Sequence, residues 1–130
     1  MNGAGVVAEI LKREGTEFLS CYPRNPLIEA CAAIDIRPVL CRQERVGVGI
    51  ADGYSRTTNG RRIGVFAMQY GPGAENAFPG VATAYSDSVP ILVLPLGHQR
   101  DRAQIFPLFS SARTYASVTK WVKLPTRKLA

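Results

Sequence analysis

The sequence predicts an α/β domain in which a parallel sheet is covered by helices on both faces. Two observations predict it. Segments of strand character alternate with segments of helical periodicity as far as Leu96, and such alternation builds βαβ units joined by right-handed crossovers. Ile63 to Met68 is, glycine aside, a run of apolar and β-branched residues, the pattern of a buried strand.

The elements follow in order. Val6, Val7, Ile10 and Leu11 form one apolar stripe opposed by Glu9, Lys12 and Arg13, and Gly15 stands where that first helix ends. Phe18 to Tyr22 is a short strand. Asn25-Pro26 then places a capping side chain before a proline suited to the first helical position, which starts a second helix reaching about Ile34. Arg37 to Arg42, built on Val39, Leu40 and Cys41, is the second strand, and Glu44 to Arg56 the third helix. Thr57 to Arg62 is the polar turn before the strand Ile63 to Met68. After Gly71-Pro72-Gly73, the residues Ala74, Ala77, Phe78, Val81, Ala82 and Tyr85 recur at helical spacing, and Val89 to Leu96 is the fourth strand.

From Arg100 onward Pro107, Ser110 and Ser111 break the pattern, before an apolar-polar mix resumes from Tyr115 to Val122. Most of this stretch is expected to be loop. No further helix and strand follow before Ala130 to cover the sheet's open edge, so the expectation is a single domain over residues 1–130 that is truncated and lacks its last helix and strand.

Composition narrows the class. One core fits 130 residues, and 46% hydrophobic with 20% charged residues is ordinary for a globular chain. The longest apolar run, Val89 to Leu96, is short and broken by Pro90 and Pro95, so no membrane span is expected. The N-terminus lacks the basic start and apolar core of a secretory signal, which makes the cytoplasm the expected location. Cys21, Cys31 and Cys41 are odd in number and form no Cys-x-x-Cys pair, and the single histidine, His98, is remote in sequence. They read as reduced packing residues with no metal site. The net charge of +6 could draw an anion, but no aromatic ladder or nucleic-acid motif accompanies it, and a solvated surface with no nucleic-acid partner is the reading.

An open parallel sheet binds ligands at the carboxyl ends of its strands. Glu44 follows strand two, Gly71-Pro72-Gly73-Ala74-Glu75-Asn76 follows strand three, and Gly97-His98-Gln99 follows strand four, so all three should line one edge. Glycine at 71 and 73 permits unusual dihedrals and close approach to a ligand. The competing reading of Glu44 is a helix cap, since a carboxylate is favoured at a helix N-terminus. A dinucleotide fingerprint fails because Asn76 stands at its sixth position and no acidic residue ends the next strand. Gly47, Gly49 and Gly53 make helix three costly by roughly 1 kcal/mol each relative to alanine, so close approach of another backbone or a ligand must compensate.

The run Arg42-Gln43-Glu44-Arg45-Val46-Gly47-Val48-Gly49-Ile50-Ala51-Asp52-Gly53-Tyr54-Ser55-Arg56, with Gly71-Pro72-Gly73 and Asn76, resembles the pyrimidine-binding (PYR) domain of thiamine-diphosphate enzymes, especially acetolactate-synthase-like members. The leading helix, Val89-Pro90-Ile91-Leu92 and Val118-Thr119-Lys120-Trp121 extend the resemblance over nearly the whole chain. It implies thiamine diphosphate as cofactor and a small 2-oxo acid as substrate, in decarboxylase or carboligase chemistry. It implies that Glu44 bonds the pyrimidine N1′ and so activates the cofactor, and that Gly71, Pro72, Gly73 and Asn76 shape the loop against it. The family carries a Gly-Asp-Gly motif with a downstream asparagine in a second domain that binds magnesium and the diphosphate. This chain has no such stretch, and Ala51-Asp52-Gly53 is only an echo of it, so Mg2+ is expected on a domain outside the chain.

The resemblance further implies a homodimer, or a partner diphosphate-binding domain or subunit, with the small residues of helix three at the contact. The chain alone is expected to be inactive. Glu75 and the pair Gln69-Tyr70 depart from the usual small residues at their positions, and His98 is a weak candidate for touching substrate. Two other readings share the fold: a separate PYR subunit of a two-chain 2-oxo acid decarboxylase, and a non-catalytic association module.

Overall fold

The computed structural model describes residues 2–99, 101–102, 105 and 109–123. Its elements run α1 (Gly3–Arg13), β1 (Phe18–Cys21), α2 (Leu27–Ala32), β2 (Arg37–Leu40), α3 (Glu44–Thr57), β3 (Gly64–Met68), α4 (Pro72–Ser86), β4 (Ile91–Pro95) and α5 (Ser111–Tyr115). The strands form one parallel sheet in the order β2-β1-β3-β4. The family of helices and strands is the α/β arrangement expected from the alternation. Among the described residues no helix is long and apolar enough to cross a membrane.

Strand alternation divides the core between the two faces. Leu19 and Cys21 of β1 with Val65 and Ala67 of β3 pack against Ala8 and Leu11 of α1 and Leu27 and Cys31 of α2. The intervening Phe66 and Met68 face the other way, onto Val48 and Ala51 of α3 and Ala74, Ala77 and Val81 of α4. Ser20, buried on this second face, is accommodated because its hydroxyl donates to Gly47 O at 2.7 Å.

α3 lies unusually close to the sheet, and two glycines permit it. A Cβ on Gly64 would collide with the Ala51 carbonyl, and one on Gly47 would strike the Phe66 ring and come within 2.7 Å of Cys41 Sγ. Ser55 then stitches helix to sheet. Its Oγ donates to Pro90 O at 2.6 Å and accepts from Gly64 N at 2.8 Å, so a fully buried hydroxyl is satisfied in both roles.

Several element ends fall one or two residues inside the expected bounds: β1 ends at Cys21 rather than Tyr22, α2 at Ala32 rather than Ile34, β2 at Leu40 rather than Arg42, and β3 starts at Gly64 rather than Ile63. β4 starts at Ile91 rather than Val89, because Val89 N is spent on Ala84 O and Pro90 O on Ser55, which makes both residues part of the turn leaving α4. A single helical turn, α5, lies within the stretch read mostly as loop, while Pro107, one of the expected breakers, falls outside the described residues. Asn25 Oδ1 accepts from Leu27 N at 3.1 Å, but the cap position falls on Pro26, at φ −62° and ψ −14°, so the helix opens at Leu27 rather than at Pro26.

The register aligns the carboxyl ends. Cys21 pairs with Leu40 on one side and Ala67 on the other, and Met68 pairs with Pro95, so the turns after all four strands rise from one edge of the sheet. The chain leaves β1 toward β2 and leaves β3 toward β4, which makes the gap between β1 and β3 the topological switch point. Asn25 spans that gap. Its Nδ2 donates to Met68 O at 3.0 Å and to Leu94 O at 3.1 Å, tying the turn after β1 to the ends of β3 and β4.

Candidate functional site

Glu44 opens α3, and its neighbours decide what the side chain does. The helix is entered through Gln43 in extended geometry, with Val46 N and Gly47 N both donating to Gln43 O, and no side chain caps it. The Glu44 carboxylate therefore is not engaged on its own helix. It is 3% exposed, and its hydrogen-bond partner among the described residues is Asn76, whose Nδ2 donates to Oε2 at 3.2 Å from the first turns of α4. The helix dipole still favours a negative charge at this position, but capping alone does not account for the orientation.

The glycine turn delivers α4 to this contact. Gly71 has φ 59° and ψ −117°, a backbone conformation a side chain would strain, and Pro72 at the first helical position continues directly into the helix as Glu75 N bonds Gly71 O. Gly73 is the point of closest approach, where an added Cβ would sit 3.1 Å from Glu44 Oε1 and 2.6 Å from Gln69 Cγ. The structure thus brings together Glu44, Gly73 and Asn76, with Gly71 and Pro72 shaping the turn behind them.

Tyr115 supports this junction from below and was not singled out by the sequence. Buried at 4% exposure, it donates its hydroxyl to Ala74 O in the first turn of α4 and packs its ring at 6.0 Å from that of Phe78. Burial, and then the charge of Glu44, push its phenol pKa upward, so the hydroxyl stays protonated and remains a donor. Asn25 was named only as a helix cap. Its second role depends on strand ends far along the chain, and a lone Asn-Pro carries no signal for it.

The other polar groups sort themselves clearly. Asp52 pairs with Arg56 at 2.7 Å, and Arg56 bridges to Asp87 at 2.7 Å, tying α3 to the end of α4. Burial raises the thiol pKa of Cys21 and of Cys31 to about 11 and that of Cys41 upward, so all three stay as protonated packing groups. Among the described residues no group of three His, Cys, Asp or Glu side chains is close enough to hold a metal ion. His98 does reach the carboxyl edge, where its ring lies 4.5 Å from that of Tyr70.

Two shallow concavities lie elsewhere among the described residues. One of about 340 Å³ is lined by Ala32, Asp35, Ile36, Arg37 and Pro38, and another of about 390 Å³ by Val6, Glu9, Ile10 and Arg13. Neither includes Glu44. What surrounds that carboxylate is a tight seam between two helix N-termini, which offers one hydrogen-bonding oxygen beside a Cβ-free surface.

Comparison with known proteins identifies the family. Residues 1–119 match the family described as thiamine pyrophosphate enzyme, N-terminal TPP binding domain; thiamine pyrophosphate and thiamine diphosphate are one compound. The chain is 38% identical over 98 residues to the acetolactate synthase large subunit of Haemophilus influenzae, which covers 72% of this chain and 17% of that protein. It is likewise 38% identical over 98 residues to the acetolactate synthase isozyme 3 large subunit of Escherichia coli. Against a probable acetolactate synthase large subunit of Methanococcus aeolicus it is 39% identical over 97 residues, covering 72% of this chain and 16% of that protein. The matched region thus amounts to about a sixth of each relative's length.

Proposed function

The chain belongs to the N-terminal domain family of thiamine pyrophosphate enzymes, and from that premise we propose that it is the PYR domain of a thiamine-diphosphate-dependent 2-oxo acid enzyme of the acetolactate synthase or decarboxylase type. The observation that carries the reading is the buried Glu44 carboxylate, turned off its own helix and held between Asn76 and the bare Cα of Gly73.

Glu44 would hold a proton shared with the N1′ nitrogen of the aminopyrimidine ring. Gly73 lets the ring approach because no side chain stands in front of the carboxylate, and Asn76 fixes the Oε2 oxygen so that Oε1 faces the ligand. Gly71 and Pro72 set the angle at which α4 enters. Burial excludes water that would otherwise compete for that proton. Thiamine diphosphate, when bound, would supply an acidic thiazolium carbon as nucleophile and an electron sink for 2-oxo acid chemistry. The diphosphate and its Mg2+ would be held by a domain or subunit outside residues 1–130, so the chain alone is expected to show no turnover. A homodimer, or that partner domain, completes the site, and the cytoplasm is the proposed location.

The test is hydrogen–deuterium exchange at the thiazolium C2, followed by NMR in the complete enzyme. Glu44→Gln is expected to slow exchange by roughly 10²- to 10⁴-fold, the range of a lost acid–base group, with an unchanged circular dichroism spectrum. Exchange at the wild-type rate would overturn the assignment.

A further inference from the structure

The first turns of α4 carry Gly73 and Asn76 to Glu44, yet little within the helix holds them there. Its cap residue, Gly71, has no side chain to bond the free amides, and Pro79 has no N–H to donate to Glu75 O. A tether arrives from late in the chain. Tyr115, the one buried side chain among residues 109–123, donates its hydroxyl to Ala74 O, between Gly73 and Asn76. The tyrosine is itself fixed from behind: Thr119 Oγ1 donates to its carbonyl at 2.7 Å and Val118 N at 3.0 Å, both from Val118-Thr119-Lys120-Trp121.

We propose that Tyr115 is a positioning residue for the Glu44 site, its hydroxyl setting how far the first turn of α4 advances, so that Asn76 holds Oε2 and leaves Oε1 to the cofactor ring. The inference rests on the cofactor reading of Glu44 given above. Helical geometry already supplies Ala74 O with the amide four residues on, so the helix does not need the phenolic donor. Packing does not need it either, since a phenylalanine would set the same ring against Phe78. The hydroxyl is explained by what it restrains. Burial first, and the Glu44 charge second, raise the phenol pKa, which puts this donor within electrostatic reach of the carboxylate whose partners it holds. Thr119 acts one step further back, by fixing the backbone from which the ring extends.

In the complete enzyme, Tyr115→Phe keeps the ring and removes the tether. Crystallised without cofactor, the variant is expected to retain its fold with Asn76 Nδ2 beyond about 3.5 Å from Glu44 Oε2, out of hydrogen-bond range, against 3.2 Å in the wild type. With thiamine diphosphate, exchange at the thiazolium C2 should slow by roughly three- to tenfold, the size of one neutral hydrogen bond. In the Glu44→Gln background the same change should slow exchange by less than about twofold further, because the tether acts through Glu44. Thr119→Val should slow exchange by a smaller factor, and Thr119→Ser, which keeps the hydroxyl, should restore it; this pair carries the test if Tyr115→Phe does not fold. An intact Asn76–Glu44 bond, exchange at the wild-type rate, or slowing of equal size with and without Glu44 would leave Tyr115 as core packing and overturn the proposal. If Glu44→Gln still slows exchange while Tyr115→Phe does not, only this inference fails. Wild-type exchange in Glu44→Gln removes the reading beneath it.

Discussion

α3 carries glycine on two sides, and the two sides meet different surroundings. On the inner side Gly47 has the Phe66 ring and Cys41 Sγ where a side chain would go, and Ala51 presses its carbonyl onto Gly64. On the outer side Gly49 and Gly53 have no other group within 4 Å of where a Cβ would stand, and Val46 beside them is 52% exposed. A tight crossing within the chain accounts for the first pair. It leaves the second unexplained, although each outer glycine lowers helix stability by about 1 kcal/mol relative to alanine. The open stripe therefore fits the association surface proposed above, and the closed stripe fits the placing of Glu44 one turn before Gly47.

Substitutions separate the two stripes. The largest effect is expected from Gly64→Ala, where the new methyl meets backbone that cannot turn away; a loss of about 3 kcal/mol in urea unfolding is expected, and a loss under about 1 kcal/mol would show that α3 is free to back off. Ser55→Ala, which strands Gly64 N–H and Pro90 O together, should cost about 2 kcal/mol by the same measurement. On the outer stripe the sign reverses. Gly49→Ala with Gly53→Ala should raise the unfolding free energy of the chain by up to about 2 kcal/mol while weakening self-association in sedimentation velocity. Stabilisation without any change in association would leave the open stripe as bare surface.

The smallest effect is electrostatic and lies at the amino end of the sheet. The Tyr54 hydroxyl donates to Glu17 at 2.7 Å, and this bond, with Arg62 behind it, holds the Glu17 pKa below its ordinary value. A carboxylate depressed in the folded state adds stability above its unfolded pKa and loses it as the pH falls through the lower folded value. Tyr54→Phe should therefore lower Tm slightly at neutral pH, and the gap from wild type should close in acid. A gap that persists unchanged in acid would assign the effect to the edge-on packing of Tyr54 against Phe18 instead.

Much of this was legible because it is local. Helical and strand periodicities carry the element order, and residues at the carboxyl ends of parallel strands share an edge, which is why the sequence alone places Glu44 and the glycine turn on one side of the sheet. What escaped depends on distant partners. Asn25 reads as a helix cap from its neighbours alone, yet its amide bonds residues 43 and 69 positions away. Tyr115 stands in a weakly patterned stretch, and only its contact with Ala74, 41 residues earlier, reveals it as a support of the site. The split between the glycines of α3 was also hidden, since helical spacing orders them around the axis without saying which side another backbone approaches.

The central claim is that Glu44 meets the aminopyrimidine ring. A crystal structure of the complete enzyme with thiamine diphosphate measures this directly: a Glu44 carboxylate oxygen is expected within about 2.6–3.2 Å of the pyrimidine N1′. A ring nitrogen bonded elsewhere, with Glu44 still on Asn76 or turned to water, would contradict the account.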